Sequence, residues 1–179
     1  MHALIYAIVY AHDEEEALEK AKNIFGSLVE RHVFDYFVTF NVTVLSPKDR
    51  WGDIPAVMNA LHPDAMKRIS DAMDITWKEF KNNITVVRKL LDTYTDEEIF
   101  EENTKEEKIG KEELAIDPIY IARHYFDCIA RSEGPGIYLY DNDGAGITSR
   151  RVLKYVMNKW YDREYKDLDI WLVPADVHF

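Results

Sequence analysis

The chain has 179 residues, 47% hydrophobic and 31% charged, with a formal net charge of −11 at pH 7. Its size and balance are those of a globular protein with one domain, or a domain carrying an insertion, and they exclude a disordered chain. The acidic balance argues against direct nucleic-acid binding, which needs a basic stripe. No apolar run approaches membrane-spanning length, so no membrane association is expected. The first residues lack the basic start and small-residue cleavage site of a secretory signal. Cys128 is the only cysteine, which leaves neither an intrachain disulfide nor a multi-cysteine zinc site. The expected compartment is the cytoplasm.

Residues 3–11 form a continuous apolar run of strand length, apolar on both faces, as a central strand requires. Asp13 and Glu16 have capping-box spacing and open a helix whose Ala17, Leu18, Ala21, Ile24, Phe25, Leu28 and Val29 share one face. Residues 33–45 alternate, with Phe34, Tyr36, Val38, Phe40, Val42 and Val44 on one side, and predict a long edge strand. A loop follows from Ser46 to Pro55, broken by Pro47, Gly52 and Pro55.

Pro63 sits at a helix start. Ile69, Met73, Trp77, Phe80, Ile84, Val87 and Leu91 then trace one amphipathic helix of about seven turns. Thr95 with Glu98 is a second capping box, opening a short acidic helix over 96–103. Residues 92–117 hold eleven acidic side chains against three lysines, leaving the rest of the chain nearly balanced. A further helix fits 118–131. After the break at residues 133–136, a strand over 137–140, a helix over 148–160 and a last strand over 169–175 complete the order. Pro174 points to an edge or a strand end for the last of these.

Strand–helix–strand, a helical block, then strand–helix–strand predicts an α+β domain. Its core is a ferredoxin-like split βαβ sandwich, with residues 1–46 and 136–179 as halves and 55–132 as a helical, acidic insertion. In this reading the first and third strands are antiparallel neighbours in the centre, and the second and fourth take the edges. An open parallel sheet is the alternative.

The strand-to-helix turn at Asp141-Asn142-Asp143-Gly144 is the best candidate site, because carboxylates and backbone N–H groups converge there. In the ferredoxin-like sheet, Asp141 and Asp143 lie near His2, Asp176 and His178. In a parallel sheet their neighbours become His12 and Asp13. Either set offers oxygen and imidazole ligands suited to Mg²⁺ or Mn²⁺, or to zinc if the histidines dominate. The simpler reading makes Asp13 a helix cap and the 141–144 sequence turn chemistry. Asp49-Arg50-Trp51-Gly52-Asp53 is a compact polar and aromatic loop, with Arg50, Trp51 and Asp53 as candidate binding residues.

The stretch from Ile137 through Asp141, Asp143 and Gly146, followed by a helix, resembles the Asp-x-Asp-x-x-Gly motif of Toprim domains in primases and topoisomerases. The resemblance covers about 25 residues. It implies a parallel sheet, Mg²⁺ on Asp141 and Asp143, and an upstream glutamate in acid–base work. Glu14 is the comparable residue, although no glycine follows it. More loosely, residues 49–53, 138–144 and 173–179 together look like small archaeal proteins of unknown function, which implies an archaeal source and supplies no activity.

The leading functional expectation is a protein-interaction or regulatory module with a protein partner or a second copy of itself, and no cofactor. The alternatives are a Mg²⁺- or Mn²⁺-dependent phosphoester enzyme using Asp141 and Asp143, and an acidic nucleic-acid mimic built on residues 92–117.

Overall fold

The computed structural model describes residues 1–43, 46–100, 118–158 and 165–179. Residues 44–45 of the expected second strand, residues 101–117 of the acidic segment and the end of the expected 148–160 helix, with Trp160, lie outside them. The chain divides into two compact units: Met1–Thr76 with Ser132–Phe179, and Trp77–Arg131. Helices and a mixed five-stranded sheet give the α+β class that the sequence predicts.

The first unit is built on β1 (His2–Ala11) and β5 (Asp169–His178), antiparallel neighbours over ten residue pairs. Their side chains alternate between two cores, as a strand period of two requires. Ile5, Ala7, Val9, Val173 and Val177 pack on one face with Phe25 and Leu28 of helix α1 (Glu14–Glu30). Tyr6, Ile8, Tyr10 and Leu172 pack on the other with Ile69 and Met73 of helix α3 (Pro63–Thr93) and Val156 of helix α6 (Arg150–Met157). The first capping box forms as expected: Glu16 N donates to Asp13 Oδ1 at 2.9 Å, and His12 N donates to Glu16 Oε2 at 2.8 Å.

Strand order is β2-β5-β1-β4, with β2 spanning Tyr36–Thr39 and β4 spanning Leu139–Tyr140, and with β3 (Met58–Asn59) beside β5. This corrects the expected arrangement of strands. β4 is parallel to β1 and lies at the edge, while β5 is central. Pro174 survives in that central strand because of its register. Ile170 O accepts from Ala60 N and His178 O accepts from Asp35 N, so the even-numbered peptide groups of β5 face away from β1. β3 pairs at residues 171–172 and β2 at 175–178, and the missing Pro174 N–H falls in the gap between them.

The same gap shortens β2. A long strand over 33–45 is expected, but its ladder runs only from Tyr36↔His178 to Thr39↔Ala175. Nor is 46–55 all loop: residues Lys48–Trp51 form a one-turn helix, α2, closed by Gly52 at φ 81°.

The second unit holds the remainder of α3 from Trp77, helix α4 (Asp96–Phe100) and helix α5 (Pro118–Ala130). The Thr95–Glu98 capping box is present, with Thr95 N donating to Glu98 Oε2 at 2.9 Å. Val87 is buried, while Trp77, Phe80, Leu91, Tyr120 and Phe126 are exposed. The Trp77 and Phe80 rings stack with centroids 5.9 Å apart. Among the described residues, no helix is long and apolar enough to cross a membrane.

Candidate functional site

The β1–β5 register brings His2 opposite His178 and Leu4 opposite Asp176 at one end of the sheet. Their even numbering points His2, Asp176 and His178 to the α3 side. β2 adds Tyr36 opposite His178, and Arg50 reaches in from α2. Asp176 is the one charged residue among the buried described ones, only 5% exposed. A buried carboxylate costs several kcal/mol unless both oxygens are matched. Here Oδ1 lies 3.1 Å from His2 Nδ1, and Arg50 Nη1 donates to Oδ2 at 2.6 Å.

Aromatic walls hold the imidazole. The His178 ring meets His2 edge-on with centroids 5.0 Å apart, and stacks on Tyr36 at 5.3 Å. His178 Nδ1 is itself 2.9 Å from Asp35 Oδ2. His2 lines two clefts. One, of about 290 Å³, contains Tyr36, Ser46, Asp49, Arg50 and Asp176. The other, of about 300 Å³, is more apolar and contains Leu4, Tyr6, Trp51, Ile75 and Tyr138. Burial pushes the Tyr6 phenol above its ordinary range, opposed by a hydrogen bond from Arg68.

Of the candidate binding residues, Arg50 and Trp51 therefore sit on neighbouring clefts. Trp51 Nε1 is buried with no hydrogen-bond partner among the described residues, an unmet donor on the apolar side. Asp53 belongs elsewhere. It pairs with Lys48 at 2.6 Å, a hydrogen bond that holds its carboxyl below the usual carboxylate range, and it lines a third cleft with His62 and Asp64.

The four candidate metal ligands are not brought together. β1 and β4 run parallel with Ala7 opposite Tyr140, so Asp141 and Asp143 emerge toward the far end of β1. Asn142 Oδ1 accepts from Tyr10 N there. Tyr10 lies eight residues along β1 from His2, about 26 Å at strand rise. Neighbours of the His12 and Asp13 kind, the parallel alternative, describe the turn better than His2 and His178. Glu14, in the exposed first turn of α1, follows the same end of β1. Among the described residues, no three His, Cys, Asp or Glu side chains gather as a metal group would.

Within the turn, Asp141 Oδ1 accepts from Asp143 N at 3.0 Å and Ala145 N at 2.9 Å, the self-contained bonding of an Asx turn. Gly144 takes φ 75°. Gly146 is required for a different reason: a Cβ there would stand 1.9 Å from Ser132 O and 2.8 Å from Ile137 Cγ2. The segment folds back beside β4, with Ile147 N donating to Leu139 O and Asp141 N to Ala145 O. Both glycines of the motif thus have structural explanations.

Sequence reasoning missed Asp176 as a principal site residue, although it placed Asp176 beside the histidines. The available signal was a lone carboxylate in the otherwise apolar run Val173 to Val177, on the same side of the strand as Ile170 and Leu172. Tyr36 and Asp35 carried no comparable signal. No curated protein and no solved structure matches the chain. A family model described as a domain of unknown function, DUF7995, matches residues 1–179, and the chain belongs to that family.

Proposed function

We propose that the protein is an interaction module that pairs with a second copy of itself through the exposed part of the α3 seam. The carrying observation is a change of burial along one apolar stripe. Ile69 and Met73 are buried in the core of the first unit. Farther along the same face, Trp77 is 57% exposed, Phe80 39% and Leu91 46%, although Val87 between the last two is buried. An amphipathic helix forms because its apolar face is covered, and a regular seam left open in part of its length is a docking face. A second copy presents an identical seam, and antiparallel pairing of two such stripes is a common helix–helix arrangement. The preference over a phosphoester enzyme rests on Asp141, whose Oδ1 serves as an internal turn acceptor. Light scattering coupled to size-exclusion chromatography tests the reading on the full chain. A mass rising toward twice that of one chain with concentration supports it; one chain's mass throughout counts against it.

A further inference from the structure

We propose that His2 is the general base of a hydrolytic site for small neutral carboxylic esters, formed by the two clefts that His2 lines, beside Asp176. The inference stands independently of the interaction reading. It rests on four features: an oriented base, the buried group that orients it, an adjacent cation and an adjoining apolar cleft.

Asp176 engages Nδ1 of His2. A carboxylate can only accept, so it selects the tautomer with the proton on Nδ1 and leaves Nε2 as the ring's basic nitrogen. Arg50 occupies the other carboxylate oxygen. This fixes one guanidinium N–H, with four others remaining to polarise a carbonyl. The ring's edge contact with His178 limits its rotation. Base, orienter and electrostatic stabiliser are the parts that acyl transfer to water needs.

The charges choose the substrate class. The polar cleft sets Arg50 against Asp49 and Asp176, and the other sets Arg68 against Asp71, a balance that disfavours a phosphoester anion. A neutral ester places its carbonyl beside Arg50 and its apolar part in the cleft of Leu4, Trp51 and Tyr138. A water O–H breaks as His2 Nε2 takes its proton, and the water oxygen bonds to the acyl carbon. The carbonyl π pair moves onto its oxygen beside Arg50. When the intermediate collapses, the bond to the alkoxy oxygen breaks and His2 returns the proton to it. One water and one ester give one carboxylic acid and one alcohol, with the base regenerated. The product acid ionises, and Asp49 and Asp176 repel it.

The test is p-nitrophenyl butyrate hydrolysis by the full chain, compared with equimolar free imidazole. The wild type should saturate with substrate. His2→Gln and Asp176→Asn should each lower kcat about 100-fold, and His12→Gln, at the far end of β1, should leave it unchanged. Circular dichroism checks that each variant folds. Independently, nitrogen NMR of the wild-type imidazole should show the Nδ1-protonated neutral tautomer. A wild type no faster than imidazole, a His2→Gln variant as fast as wild type, or an Nε2-protonated His2 overturns the proposal.

Discussion

His2 and Asp176 meet diagonally across the β1–β5 ladder, Nδ1 of one 3.1 Å from Oδ1 of the other. The carboxylate is buried, so its remaining oxygen depends on Arg50. Arg50→Ala leaves Oδ2 without its donor, at a cost of about 2 kcal/mol in unfolding free energy. Arg50 is half exposed, and water entering its place keeps the loss well below that of a fully buried charge pair. Urea titration of wild type and variant measures it; equal midpoints would show that Asp176 does not need the guanidinium.

The Asp141 turn separates acceptor from ligand. Asp141→Asn keeps an oxygen at Oδ1 and should retain stability within about 0.5 kcal/mol, whereas Asp141→Ala strands two N–H groups and should cost about 1–2 kcal/mol. A metal-binding carboxylate would behave differently: both substitutions would abolish Mg²⁺ or Mn²⁺ binding by calorimetry. Equal stability losses in the two variants would contradict the turn assignment.

Gly146 has no room for a methyl group. The nearest obstacle to a Cβ is the Ser132 carbonyl oxygen at 1.9 Å, and a backbone oxygen cannot rotate aside as a side chain can. Gly146→Ala should therefore lower stability by about 3 kcal/mol through overpacking. Thermal unfolding checks this, and an unchanged midpoint would mean that the fold-back beside β4 is looser than described.

These local features were the legible part of the sequence. The capping boxes at Asp13 and Thr95 and the apolar run of β1 each depend on neighbours within a few residues, and each formed as expected. Strand order depends on pairings across the whole chain. Nothing near Pro174 revealed that its missing N–H would fall between two short partners, which is why an edge was expected where a central strand formed. The candidate site followed the same division. The Asp141 turn was conspicuous because its residues are contiguous, yet it closes on itself. His2, Arg50 and Asp176 come from three distant segments: the β1–β5 register sets His2 beside Asp176, and α2 brings Arg50 to them.

Tyr140 should make stability fall at high pH. Its phenol is pushed up to about 12, first by burial and further by the Glu133 charge, against the opposing Gly134 N–H and Arg31. In the unfolded chain it ionises near its ordinary value of 10.0. Below that value both states hold the proton and the stabilisation is complete. As pH rises through this window, the unfolded state loses its proton first and stability falls, by about 3 kcal/mol in all. Tyr6, also raised, adds in the same direction. Tyr140→Phe should flatten the slope between pH 10 and 12 while costing about 1 kcal/mol at neutral pH through the lost Gly134 hydrogen bond. Denaturant titrations across that range measure both effects; an unchanged slope would show that Tyr140 already ionises in the native state.

The most direct test of the interaction reading is sedimentation velocity on the full chain over a concentration series, wild type beside Trp77→Ser/Phe80→Ser. Trp77 and Phe80 are both exposed, so the double variant should keep the wild-type helical signal. The account predicts a wild type that shifts from monomer to dimer with concentration and a folded double variant that stays monomeric. A wild type that remains monomeric, or a double variant that dimerises equally well, would contradict it.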